Sequence, residues 1–206
     1  MTKIIQVAPT DKHFSITWRL GIRCNYDCMY CSPAWHDNVS PHHSLDTLMS
    51  SWQSIYEKTK HKNLPYKISF TGGELTTSKN FMPFLKWLRE NYNDNIDKIV
   101  LSTNGSATLK YYSSMYELVD NISFSVHSEH FNEVEFFSMI VELSKIIEPS
   151  KFLHVNIMDE FWNQDRIPHY EKILTDNNIS YSLNEINYSQ KTRVIPIFKG
   201  KLNLAI

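Results

Sequence analysis

The chain predicts an α/β fold with a parallel sheet. Two observations lead there. Short apolar stretches of strand character recur six times along the 206 residues, and stretches of helical periodicity separate them. The segments of unusual composition all fall where a strand stretch ends. Serial strand–helix units build parallel sheets with right-handed crossovers, and such sheets gather ligands at the carboxyl ends of their strands.

The first strand is carried by Phe14, Ile16, Trp18 and Leu20, which alternate with Ser15, Thr17 and Arg19. Its helix has Leu45, Leu48, Met49, Trp52, Ile55 and Tyr56 at helical spacing, with Ser44 as N-cap. The second strand covers residues 66–70, and its helix runs from about Ser78 to Tyr92. Pro83 fits that helix only in the first turn, where its missing N–H is not needed. The third strand covers 98–102, followed by a helix that Ser106 can cap and that carries Leu109, Tyr112, Tyr116 and Val119. The fourth covers 122–126, and its helix runs through Val134, Phe137, Val141 and Ser144. The fifth covers 152–158, with a helix at about 168–175 stopped by Asp176-Asn177-Asn178. The sixth covers 179–183.

What ends these strands is unusual. Cys24, Cys28 and Cys31 follow the first strand and are the chain's only cysteines. Gly72-Gly73-Glu74 follows the second, Asn104-Gly105 the third, and His127-Ser128-Glu129-His130 the fourth. Three thiolates on one short loop can hold a single metal centre with one coordination position unfilled. If the centre is a cubane iron–sulfur cluster, one iron is open to a small molecule, whereas an electron carrier normally uses four thiolates. A disulfide framework does not fit an odd count in a long chain. A zinc site with His36, His42 or His43 as fourth ligand is the alternative. If the cluster reading holds, those histidines are surface or lid residues of a loop over 32–43.

Composition narrows the rest. Net charge is −1, so nothing pulls the chain toward nucleic acid or a membrane surface. No apolar run approaches the ~20 residues of a membrane span, and the N-terminus lacks a signal-peptide core. A reducing cytoplasm is the expected compartment. Residues 1–186 are expected to form one domain, and 187–206 a short basic tail with Lys191, Arg193, Lys199 and Lys201. That tail either docks an acidic protein or is solvated.

The C-x-x-x-C-x-x-C loop with Tyr30 before its last cysteine resembles that of the radical S-adenosylmethionine (radical SAM) superfamily. Gly72-Gly73-Glu74, in order and spacing, is similar to that family's second motif, with Leu75 where proline is common. The resemblance covers roughly residues 14–185. It implies a partial (β/α)6 TIM-like barrel with the cluster loop after the first strand. It implies a 4Fe-4S cluster held by Cys24, Cys28 and Cys31, and S-adenosylmethionine bound beside it. The cofactor is then reductively cleaved to a 5′-deoxyadenosyl radical that abstracts hydrogen from a substrate.

By the same resemblance Gly72 and Gly73 meet the methionine end of the cofactor, and Glu74 either joins them or braces the turn. Tyr30 lies beside the adenine or packs the loop. Ser102 and Asn104 reach the cofactor or shape a turn. Ser125 and Asn156 are further cofactor contacts, and His127 is a candidate catalytic residue. Asn184 and Glu185 are weaker candidates. A low-potential donor, flavodoxin or ferredoxin, would be required. The substrate is a peptide or a cofactor or metabolite precursor. The rivals are an activase for a glycyl-radical enzyme, an enzyme acting on a purine or nucleotide precursor, and a non-catalytic iron–sulfur or zinc module. The glycine turn speaks against the last, since an electron carrier needs no amino-acid pocket.

Overall fold

The computed structural model of the chain describes residues 3–9, 12–32 and 34–186. The basic tail expected at 187–206 lies outside them. Seven strands form one sheet in sequence order: β1 (Lys3–Pro9), β2 (Phe14–Arg19), β3 (Tyr66–Thr71), β4 (Ile96–Thr103), β5 (Asn121–Val126), β6 (Phe152–Asp159) and β7 (Ser180–Glu185). β2 to β7 are the six expected strands, and every neighbouring pair among them is parallel. Five helices make the crossovers: α1 (Leu45–Thr59), α2 (Phe81–Tyr92), α3 (Leu109–Tyr116), α4 (Glu133–Ile146) and α5 (Ile167–Asp176). The sheet does not close on itself, so the barrel is partial. β1 was not expected; it pairs antiparallel with β2 and occupies that edge.

Strand alternation divides the sheet into two faces. Phe14, Ile16, Trp18, Ile68, Phe70, Ile99, Leu101, Phe124, Val155 and Ile157 join the apolar stripes of all five helices in one buried core. The intervening Thr17, Ser69, Ser102, Ser123, Ser125 and Asn156 face the other way and are not fully buried. The heart of the core is aromatic. Trp18 is fully buried and packs on Trp52, Phe70 and Phe84, with ring centroids 5.7 to 6.3 Å apart.

Local signals decide most helix ends. Ser44 caps α1 by accepting from the Thr47 N–H, and Pro83 is the third residue of α2, within its first turn. One expectation is corrected. Thr108, not Ser106, caps α3, accepting from the Tyr111 N–H at 3.3 Å. The Asn104 side chain takes the Ser106 N–H instead, which prolongs the loop by two residues. In α4 the buried stripe is Phe136, Phe137, Ile140 and Leu143, and Val134 is 74% exposed. That helix is apolar on more than one side, so its own pattern leaves two phases open and packing selects one.

Trp18→Ala removes the ring that joins α1, β3 and α2. Unfolding in urea is expected to show a loss of about 3–5 kcal/mol.

Candidate functional site

The chain leaving β2 runs directly against the chain leaving β3. Gly73 N–H donates to Gly21 O at 3.1 Å, and Glu74 N–H to Arg23 O at 2.8 Å. A Cβ on Gly73 would lie 2.0 Å from Arg23 O; one on Gly72, at φ +153°, would lie 2.6 Å from Gly21 O. No side chain fits between these backbones, which is why the pair is glycine. The cysteine loop leaves from this contact and returns to it, for Cys24 N–H donates to Asp37 O and Asp37 N–H to Ile22 O.

Glu74 locks the arrangement. It is buried, and its carboxylate accepts from Thr76 N–H (3.0 Å), the Thr76 hydroxyl (2.7 Å), the Thr103 hydroxyl (2.9 Å) and Asn104 N–H (2.7 Å). Burial pushes its pKa up, while the N–H and O–H donors pull it back. Of the two roles expected for Glu74, the structure displays the brace, tying the end of β3 to the end of β4.

The cysteine loop is held on two further sides. Asn25 bonds to Ser106 and to the Asn104 side chain, whose amide also lies 3.9 Å from Cys24 Sγ. Met29 N–H donates to the Glu129 carboxylate at 3.0 Å. The Tyr30 hydroxyl is hydrogen-bonded to His127 Nδ1, and the two rings stack. Tyr26 stacks on His130 at 5.2 Å.

These contacts surround a cavity of about 800 Å³. Cys24, Cys28 and Cys31 line it, none of them in a disulfide. So do Tyr30, Gly72, Gly73, Glu74, Ser102, Asn104, Ser125 and His127, from the ends of four strands. Asn156 is not among the lining residues. It faces the expected side of the sheet, but its amide donates to Ser123 and accepts from Ser182 and Asn184. Asn184 belongs to that same ladder.

Several positions around the cysteine loop and the cavity escaped the sequence reading. His36, expected as a surface or lid residue, is 5% exposed, lines the cavity and lies 3.2 Å from the Asp27 carboxylate. His42 and His43 sit half-buried beside a separate small pocket. Glu129 and Glu160 flank the cysteine loop. Glu160 accepts from Ser128 N–H at 3.2 Å and from the Ser128 hydroxyl, which in turn accepts from Trp162 Nε1 at 2.8 Å. Both acids stand at the carboxyl end of a strand, the signal that could have found them.

The donor set fits an iron–sulfur cluster. Three thiols from one loop share one roomy cavity, and the chain has no fourth cysteine. Among the described residues, no three His, Cys, Asp or Glu side chains converge closely enough for one metal ion. A cluster spreads its thiolates over several irons. The sequence matches the family described as a 4Fe-4S single cluster domain over residues 17–145. The chain belongs to that family.

No curated protein matches the chain. Two solved structures of BtrN resemble it. The open conformation is 25% identical over 59% of this chain, with a TM-score of 0.42. That match spans 54% of the BtrN chain, about half its length. The structure in complex with AdoMet and 2-DOIA is 18% identical over 82% of this chain and 68% of that one, with a TM-score of 0.47.

Without metal, burial pushes the Cys24 and Cys28 thiols up, and nearby acids add to it. A cluster reverses this, because coordination displaces the thiol protons. Burial, helped by His130, lowers His127 from 6.5 to about 4, so its imidazole is neutral.

Two outcomes are expected. Glu74→Gln puts an amide nitrogen where a carboxylate oxygen accepts, and urea unfolding of the metal-free chain is expected to lose about 1–3 kcal/mol. As pH falls from 6.5 toward about 4, the unfolded chain binds a proton at His127 before the folded one does. The stability His127 contributes is thus present above 6.5 and lost through that window. Denaturation at a series of pH values checks this, with His127→Gln expected to reduce the acid dependence.

Proposed function

We propose that this chain is a radical SAM enzyme whose 4Fe-4S cluster is held by Cys24, Cys28 and Cys31. One observation carries the reading: the three thiols and the Gly72–Gly73 backbone face the same cavity. Three ligands leave an iron open, and a glycine pair presents bare backbone to whatever binds there. When bound, the cluster and S-adenosylmethionine supply reductive carbon–sulfur cleavage and a 5′-deoxyadenosyl radical that takes hydrogen from the substrate.

The residues of the chain bind and orient. Ser102, Asn104 and Ser125 offer neutral hydrogen-bonding groups along the cavity wall for the polar parts of the cofactor. Glu74 holds the ends of β3 and β4 at a constant separation, so these groups keep their positions. Tyr30 and His127 form the wall toward β5. His127, which lines the cavity and is neutral near pH 7, is the candidate for a contact with the substrate. Asn156 stands one step away and supports the sheet floor through its amide ladder. The open sheet leaves room for a bulky substrate, a peptide or a cofactor or metabolite precursor. The electron comes from a low-potential flavodoxin or ferredoxin in the cytoplasm. No described helix is long and apolar enough to cross a membrane.

The chain is reconstituted with iron and sulfide without oxygen, then given dithionite and S-adenosylmethionine. Mass spectrometry is expected to find 5′-deoxyadenosine from the parent chain and only background from Cys28→Ala. About four irons per chain without 5′-deoxyadenosine would overturn the enzyme reading, and zinc in natively purified protein would overturn the cluster assignment.

A further inference from the structure

Glu160 is a buried acid that no step above uses. It follows β6, on the loop before α5, and is 0% exposed. Its Oε2 is bound to Ser128, and its backbone N–H donates to Asn163 Oδ1 at 3.2 Å. Its Oε1 is buried and makes no hydrogen bond of good geometry. The Tyr30 hydroxyl lies beside this carboxyl and beside the Cys28 thiol at once, and is hydrogen-bonded to His127. One phenol therefore joins a cluster cysteine to a buried carboxyl.

Among the described residues, the charged groups that act most on Glu160 are negative. Glu129 reaches it from the loop before α4, and Tyr30 and Cys28 from the cysteine loop. Tyr170 approaches from α5. Arg166 and His169 of α5 pair with Glu133 instead. Burial and Glu129 together raise Glu160 to about 8. Such a group changes protonation when a nearby charge changes by one, and entry of an electron into a cluster is that change.

We propose that Glu160 is the proton acceptor coupled to one-electron reduction of the cluster. One electron from the low-potential donor enters the cluster. At a pH where Glu160 is still ionised beside the oxidised cluster, one proton from solvent adds to its carboxylate, giving a neutral carboxyl that sits behind Tyr30. No other bond forms or breaks. The added negative charge is thereby offset within the site, and the cluster accepts the electron more easily than it would beside a fixed carboxylate. Glu160 touches neither substrate nor cofactor, so it is a positioning residue acting through Tyr30. The inference rests on the cluster and its cysteine ligands, not on S-adenosylmethionine.

The sign follows from linkage. Reduction raises the pKa of Glu160 above its value beside the oxidised cluster. Between those two values the midpoint potential falls as pH rises, by up to about 59 mV for each tenfold drop in proton concentration. In the chain without a cluster Glu160 sits at about 8, so the titration brackets that pH.

The test is a redox titration of the reconstituted chain without S-adenosylmethionine, followed by electron paramagnetic resonance, from about pH 7 to about pH 10 around that window. A sloping potential is expected in the parent chain, and a flat one in Glu160→Gln at equal iron content and with the same signal. A flat potential in the parent, or an unchanged slope in Glu160→Gln, overturns the proposal. If Glu160→Gln does not hold the cluster, Ser128→Ala keeps the carboxylate and removes its hydroxyl donor. Its slope is expected to persist with the window moved to higher pH, and an unmoved window overturns the proposal. Formation of 5′-deoxyadenosine is read separately, so failure of the S-adenosylmethionine reading and failure of the Glu160 proposal are told apart.

Discussion

Two backbones in direct contact are the constraint on which the site depends. The strands β2 and β3 are already parallel and in register, and beyond their ends the chains stay paired through Gly21–Arg23 and Gly72–Glu74. With 2.0 Å between a hypothetical Gly73 Cβ and Arg23 O, no other residue keeps this spacing. The cysteine loop begins and ends on that contact. Its position relative to the sheet is thus set by hydrogen bonds between main chains, which do not depend on rotamers. The glycines expected to admit a cofactor serve the protein's own backbone first, and the cavity wall they form is a consequence.

Around that contact the site is assembled from acids that act as acceptors. Glu74 takes hydroxyl and amide donors at the ends of β3 and β4, Glu129 takes the Met29 amide, and Glu160 takes Ser128. Each is raised above its ordinary value, with burial as the first cause. The difference lies in how well each is satisfied. Glu74 has four donors and holds geometry; Glu160 has an oxygen without one and is poised to take a proton. A wholly satisfied buried carboxylate is a brace, and a partly satisfied one is a titrating group.

The sheet shows how this division arises. On the helix side each strand contributes large apolar residues to one core, so the strands cannot move independently. On the other side Ser, Thr and Asn predominate, and in β5 to β7 they bond to one another across strands. That polar face leaves the barrel unfilled. Room for a cofactor and a substrate comes from this choice of small polar residues and from a sheet that, among the described residues, does not close beyond β7.

The sequence by itself determined the strand order, the parallel sheet, the cysteine loop and the end of the sheet on which chemistry gathers. Those are local matters: period-two alternation, period-3.6 stripes, the Ser44 cap, the place of Pro83, and the spacing of three thiols within eight residues. Only the tertiary structure decided which face of α4 is buried, that Thr108 caps α3, that His36 is buried, that Asn156 turns to its strand neighbours, and that β1 borders the sheet. It alone brought Tyr30 to His127 and Met29 to Glu129, pairs 97 and 100 residues apart. The physical reason is the range of the interaction. Periodicity and capping are written within one turn or one strand, whereas the partner of a buried polar group is chosen by where separate loops arrive once the sheet has formed.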